Sequence, residues 1–193
     1  MSEGRKVPYS EAKEIADELI VLLGGHFERL EIAGSLRRKK EFIGDIELVG
    51  IPRSVLVSNL FGTTELSPIT TIITLMRLMM GYETEKSGEK YIKFVSSDKM
   101  NVDLFLCTPE TWGCIFMIRT GSAEFTRKMV TRKIFDGWCP NHLHFSDGRL
   151  WEYRGTELVA LDTPEEADVF REMGLAFVPP EERSVRNESG SKE

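Results

Sequence analysis

The stretch Gly34-Ser35-Leu36-Arg37-Arg38-Lys39-Lys40-Glu41-Phe42-Ile43-Gly44-Asp45-Ile46-Glu47-Leu48-Val49 decides how the chain folds. Its end, continuing to Ile51, is apolar except for Glu47 and reads as a buried strand, which Pro52 breaks. Residues two apart in a strand point to the same face, so Asp45 and Glu47 stand side by side. Two like charges on one face of a buried strand are costly unless something compensates them. A divalent cation is the usual compensator, and oxygen ligands favour magnesium or manganese. Asp103 repeats the pattern between Val102 and Leu104 in a second apolar strand, Asn101 to Cys107. If the two strands pair, three carboxylates converge. An isolated Asp-x-Glu more often sits solvated or salt-bridged at a strand end. The segment before it changes that balance. A strand from Arg29 to Ala33, then Gly34-Ser35 and a helical turn, offers free backbone N–H groups and a hydroxyl to a phosphate. Arg38 adds a bidentate donor. A phosphate cradle ahead of paired acids suits phosphoryl transfer with metal ions.

Outward from this centre, Ser10 caps a helix running to Leu23, with Gly24-Gly25 as its stop. Thr70 to Met80 is a helix closed by Gly81, with Met79-Met80 as packing residues. Glu83 to Lys86 and Tyr91 to Val95 are strands around Ser87-Gly88. Thr108-Pro109 starts a short helix. Thr120-Gly121-Ser122 is a turn, and Ser122 caps a helix to about Phe135. His142 to Phe145 and Leu150 to Tyr153 flank Ser146-Asp147-Gly148 as a hairpin. Thr163-Pro164-Glu165-Glu166 is a capping box opening a helix that ends at Gly174. The expected organisation is a flexible N-terminus (1–8), a first unit over 9–115, a second over 116–183, and a disordered tail (184–193).

The chain has 193 residues, enough for one domain or two subdomains sharing a core. The longest apolar run, Leu19 to Leu23, is far too short to span a bilayer, and no signal peptide is visible. Three cysteines without CxxC spacing argue against a disulfide framework and for a reducing cytosol. The net charge of −6 argues weakly against nucleic acid, but eight of the acids lie in residues 163–193 with only four bases. Two basic clusters remain, Arg37-Arg38-Lys39-Lys40 and Arg127-Lys128 with Arg132-Lys133; each could meet phosphates, and each also fits a solvated face. Cys139, His142 and His144 could begin a zinc site, but further ligands are missing nearby and a half-exposed strand is the better account. Trp112, Trp138 and Trp151 could stack bases but suit a core better. Glycoside hydrolysis also uses paired acids, yet it leaves the Gly-Ser-Arg segment unexplained.

Taken in order, these motifs resemble the family X DNA polymerases, the DNA polymerase beta-like branch of the nucleotidyltransferases. Gly34-Ser35…Gly44-Asp45-Ile46-Glu47 is similar to the family's Gly-Ser…Gly-Asp-x-Asp motif, with Glu47 in place of the commoner Asp. Asn101-Val102-Asp103-Leu104 resembles its third-carboxylate strand, and Thr120-Gly121-Ser122 with Phe125 and Met129 its Thr-Gly-Ser turn and helix. Thr163 to Arg183 resembles the end of the thumb. The similarity covers about residues 10–183. It implies an α+β fold: a nucleotidyltransferase palm of mixed β-sheet with flanking helices, and a small α/β thumb. It implies that Asp45, Glu47 and Asp103 bind Mg2+ or Mn2+, with Asp103 taking the proton from a primer 3′-hydroxyl. Gly34, Ser35, Arg38, Gly44, Thr120, Gly121 and Ser122 would bind the nucleotide, and Arg127, Lys128, Arg132 and Lys133 the DNA. Gapped or primer-template DNA and dNTP are the implied partners, for short-gap filling in DNA repair or replication by a monomer without membrane attachment. The family's lyase domain and helix-hairpin-helix grips have no room before Gly34, so a minimal palm–thumb form is expected, as in some viral and phage members. A cytoplasmic setting in a bacterial or phage-infected cell follows. Ile118-Arg119 stands where the family usually has an aromatic pair that discriminates against ribose. Poor ribose discrimination is expected from this, and Ala123, Thr126 and Val130 also depart from the family pattern, so either base selection is loose or the activity is partly template-independent. The alternatives are a transferase acting on RNA or protein, and a non-catalytic DNA-binding module.

Overall fold

The structure, a computed structural model, describes residues 6–59, 62–66 and 68–183. The expectations for residues 1–5 and for the 184–193 tail lie outside the described residues. The strand β1 (Val7–Pro8) leads into α1 (Tyr9–Leu23), β2 (Phe27–Ile32), the one-turn helix α2 (Gly34–Arg37), β3 (Phe42–Ile43) and β4 (Asp45–Pro52). A hairpin of β5 (Val55–Asn59) and β6 (Gly62–Leu66) follows, then α3 (Ile69–Met80), β7 (Glu83–Ser87), β8 (Tyr91–Val95) and β9 (Asn101–Leu106). The second half holds α4 (Trp112–Thr120), α5 (Ala123–Val130), the strands β10 (Leu143–Ser146), β11 (Arg149–Arg154) and β12 (Glu157–Leu161), and α6 (Glu166–Glu172).

A five-stranded sheet in the order β2-β4-β9-β8-β7 forms the centre. The β4–β9 pair is parallel and the others antiparallel, so the sheet is mixed and the fold is α+β. Strand alternation divides its residues between two faces. On one face Ile46, Leu48, Val102, Leu104, Ile92 and Phe94 are fully buried beneath two helices. Those helices contribute Ala12, Ala16, Leu19 and Leu23 from α1, an apolar stripe at helical spacing, and Ile72 and Met76 from α3. On the opposite face Val49, Ile51 and Phe105 are covered by Trp112 and Phe116, one turn apart on α4. The same helix turns Cys114 and Met117 the other way, into a core with Phe125, Met129, Leu143, Leu150, Val169 and Phe170. One helix thus serves two cores, and a division at 115/116 falls inside it.

Two arginine systems fasten the second half to the sheet. Arg29 on β2 donates two hydrogen bonds to the Glu165 carboxylate, at 2.8 and 3.0 Å, and its guanidinium lies 4.2 Å over the Trp112 ring. Arg37 at the end of α2 donates to both oxygens of Glu166, at 3.0 and 2.8 Å, and to Thr120 Oγ1 at 2.6 Å. Arg183, fully buried, donates to Glu166 Oε1 at 2.6 Å from among the rings of Phe125, Phe170 and Phe177. Burial alone would raise the Glu166 pKa, but hydrogen bonds from Arg37 and Arg183 outweigh it and hold the carboxyl below its ordinary range.

Several elements differ from the sequence expectation. Val7 and Pro8, expected to be flexible, pair with Ile43 and Phe42, and Val7 is buried. Pro8 rather than Ser10 stands at the head of α1, which has no side-chain cap there. The helix capped by Ser122 ends at Val130, not near Phe135, because the chain must turn back for Cys139 N–H to reach Thr131 O. Gly137 packs so tightly there that a Cβ would lie 1.8 Å from Thr131 O. The capping box of α6 is Glu165 with Asp168, while Thr163 is buried and binds Glu110 O. The hairpin β5–β6 and the third strand β12 were not anticipated. Met79 is exposed rather than packed, whereas Trp112 lies wholly buried in a core, as expected. Among the described residues no helix is long and apolar enough to cross a membrane.

Removing one member of a buried ion cluster leaves the others uncompensated, at a cost of about 3–5 kcal/mol. Glu166→Ala is therefore expected to lower the thermal midpoint by roughly 10 °C, read by circular dichroism.

Candidate functional site

Parallel pairing of β4 with β9 sets Asp45 opposite Asn101 and Glu47 opposite Asp103. Asp45, Glu47 and Asp103 therefore share one sheet face, at the end that α4 leaves uncovered. Each is half-buried. Burial, then the charges of Asp45 and Asp103, pushes the Glu47 carboxyl up to about 7, against the opposing pull of Arg38 and Arg119. Asp45 is likewise raised, first by burial and then by Asp103. The three acids repel one another where water cannot fully screen them.

The glycine before this cluster has two reasons to be glycine. Gly34 has φ +62°, in the left-handed region, and a Cβ there would lie 1.9 Å from Glu47 Oε2. The Glu47 carboxylate thus rests directly against the backbone of α2, and Ala33 N–H donates to Glu47 O at 2.8 Å. Ser35 follows on α2 and Gly44 immediately precedes β4. Arg38 reaches across to the Thr120-Gly121 turn, its Nη1 donating to Thr120 O at 2.5 Å and Gly121 O at 3.0 Å. Its Nε is buried and, among the described residues, has no partner. Arg38 is therefore not the free fork that its place in the sequence implied: one nitrogen is already committed to holding the turn. Ser122, beside it, caps α5 by accepting from Phe125 N–H at 3.2 Å.

Sequence reasoning missed Tyr91 and the place of Arg119 over Phe105. Tyr91 Oη donates to Asp103 Oδ1 at 2.5 Å, and its ring stacks on Phe105 with centroids 5.0 Å apart. Tyr91 and Phe105 are cross-strand partners, so register produces this stack, and the diagonal neighbour Asp103 comes within reach of the hydroxyl. Burial, then the hydrogen bond to Asp103, keeps Tyr91 protonated well above the usual tyrosine range. Arg119 lies 3.9 Å over the other partner of the stack, Phe105. A tyrosine in an alternating strand resembles any core aromatic, so only the cross-strand register could have revealed it.

Three carboxylates with half-exposed oxygens are a hard donor set that fits magnesium or manganese. Among the described residues no group of three or more His, Cys, Asp or Glu closes into a ready-made metal cage. Magnesium is commonly held by one or two carboxylates with water and substrate phosphate completing the shell, so an open arrangement is compatible with it. The zinc alternative gains nothing: Cys139 is buried, with its thiol pushed up to about 11 by burial, and His144 packs near Tyr153. Of the distal basic residues, Arg127 and Lys133 are exposed and Arg132 is half-buried near Phe135. Lys128 is instead bound to Asp136, at 2.7 Å to both its backbone oxygen and Oδ2.

Glu47 titrates in the metal-free fold near 7, above its ordinary 4.5. Its contribution to stability is therefore full below the ordinary value and is lost as pH rises through about 7. Glu47→Gln is expected to flatten the thermal midpoint against pH between about 5 and 8 and to leave the variant the more stable at about pH 8 without metal. A second substitution tests the close approach. Gly34→Ala is expected to destabilise the fold by roughly 1–3 kcal/mol in denaturant titration, because both backbone conformation and the Glu47 carboxylate oppose it.

Residues 116–184 match the family model of the DNA polymerase beta thumb, a match that begins within α4 and runs through α5, the three-stranded sheet and α6. No curated protein matches the chain. The second half of the chain is thus similar to the thumb of a DNA polymerase beta-like enzyme, joined to a mixed sheet that carries three carboxylates on one face.

Proposed function

We propose that the protein is a metal-dependent nucleotidyltransferase that adds a deoxynucleoside monophosphate to a primer 3′-hydroxyl in gapped or primer-template DNA. The observation that carries this reading is the register placing Glu47 opposite Asp103 with Asp45 on the same face, beside a segment similar to a polymerase thumb. Asp45, Glu47 and Asp103 would hold magnesium or manganese, which supplies Lewis-acid polarisation of the phosphate and neutralises developing charge. Asp103 has one oxygen engaged by Tyr91. Its other oxygen, Oδ2, is the one to take the proton from the 3′-hydroxyl. The 3′-oxygen then forms a bond to the α-phosphorus, and the bond to the departing pyrophosphate breaks. Ser35 and the backbone of α2, with Gly44, would cradle the triphosphate, and Arg38 would contribute what its tether to the turn leaves free. Thr120, Gly121 and Ser122 would line the nucleotide where the sheet and the thumb-like half meet. Arg127, Arg132 and Lys133 remain the basic residues best placed for DNA phosphates, since Lys128 is paired within the fold.

The setting that suits this activity is short-gap filling in DNA repair or replication. Transfer to RNA or to a protein side chain uses the same acids and is separated by substrate, and a purely DNA-binding role needs none of them. The test is incorporation of labelled nucleotides on gapped DNA, single-stranded DNA and RNA with magnesium or manganese. Template-directed extension of the gap is expected. Asp45→Ala and Asp103→Ala should each abolish it, by at least about a thousandfold, while the circular dichroism spectrum is unchanged. Undiminished incorporation by both variants would refute the site, and DNA binding without any transfer would favour the binding module.

A further inference from the structure

Four arginines where the sheet side meets the second half make hydrogen bonds inside the fold. Arg29 holds Glu165, Arg37 and Arg183 hold Glu166, and Arg38 holds the carbonyls of Thr120 and Gly121. Arg119 is different. It is exposed, and among the described residues its guanidinium has no hydrogen-bond or ion-pair partner. Its place is nevertheless fixed, because the guanidinium carbon lies 3.9 Å from the Phe105 ring centroid. That ring is itself stacked on Tyr91, and Phe105 lies two residues beyond Asp103 on the same sheet face. Stacking occupies a face of a guanidinium and leaves its edge donors available. Arg119 also stands one residue before the Thr120-Gly121 turn that Arg38 holds, at the margin where α4 stops covering the sheet. Its charge reaches Glu47 and Tyr91, opposing the rise of both their pKa values. A cation whose charge reaches Glu47, yet which among the described residues is bonded to no acid, is set for an anion that is not part of the chain.

We infer that Arg119 is a phosphate-recognising residue of the site, whose edge N–H groups bind the triphosphate of the incoming nucleotide. This rests on the nucleotidyltransferase reading and adds to it the cation that Arg38 cannot fully provide. It also gives a positive role to a position that the sequence marked only as a departure.

The experiment compares wild type, Arg119→Ala, Arg119→Lys and Phe105→Leu, with magnesium present, in binding a fluorescent deoxynucleoside triphosphate and, separately, labelled gapped DNA. Arg119→Ala is expected to weaken triphosphate binding roughly tenfold or more and to leave DNA binding unchanged. Lysine should rescue part of the loss, because it restores charge without the planar fork. Phe105→Leu, which keeps the arginine but removes its platform, should fall between wild type and Arg119→Ala. In turnover, Arg119→Ala should raise KM for the nucleotide more than it lowers kcat. Weakened DNA binding with unchanged triphosphate binding would assign the arginine to the DNA backbone and overturn the inference. Unchanged binding of both ligands, or a wild type that binds no triphosphate, would overturn it as well. Triphosphate binding that depends on Arg119 in a protein without transfer activity would leave the inference standing and remove the polymerase reading instead.

Discussion

Parallel register between β4 and β9 is the constraint on which the rest of the site depends. It sets Glu47 directly opposite Asp103, with Asp45 one step along the same face. A slip of one residue would turn Asp45 and Glu47 toward the apolar core under α1 and α3 and take Ile46 and Leu48 out of it. The register is secured from the other face, where Ile46, Leu48, Val102 and Leu104 are fully buried under α1 and α3. Hydrophobic packing on one side of the sheet thus forces three like charges together on the other. Burial, and then the charges of Asp45 and Asp103, pushes the Glu47 pKa up to about 7 as a result.

The neighbouring groups accommodate this arrangement by different means. Gly34 supplies space, since any Cβ would strike the Glu47 carboxylate. Tyr91 supplies a hydrogen bond that commits one oxygen of Asp103. Arg38 supplies charge and at the same time positions the Thr120-Gly121 turn through its carbonyls. The thumb-like half is therefore tied to α2 and the residue after it, through Arg37 with Thr120 and Glu166 and through Arg38 with the Thr120-Gly121 turn. A shift of that half relative to the sheet would have to break or carry with it hydrogen bonds that begin beside the acids.

The acids themselves were legible from sequence because a charged residue inside an apolar strand is conspicuous, and period-two alternation fixes its face. The order of most elements was legible for the same reason. Tertiary partnerships were not. Glu165 and Glu166 read as helix-capping acids, and Glu165 does cap α6, yet their carboxylates also bind Arg29 and Arg37, more than a hundred residues earlier in sequence. Nothing local distinguishes a capping acid from one that crosses between two halves of a fold. The hairpin β5–β6 escaped because its apolar run from Val55 to Val57 is too short to separate strand from helix by periodicity. The strand β12 escaped although Gly155, with φ +64°, marks the turn before it.

The arginines show the limit of motif reading most clearly. In sequence, Arg37 and Arg38 form one basic cluster beside a glycine-rich turn, and both invite a phosphate. In the fold they diverge: Arg37 is consumed by Glu166 and Thr120, Arg38 is half consumed by backbone carbonyls, and neither is a free surface cation. Arg119, which belongs to no basic cluster, keeps all its donors unpaired among the described residues. Cationic residues clustered in sequence repel one another and are drawn to separate acceptors when the chain closes. An isolated arginine resting on an aromatic ring faces no such competition. Which cations a ligand can reach is thus decided by what the fold leaves unpaired, and among the described residues Arg119 is one of these, at the end of α4.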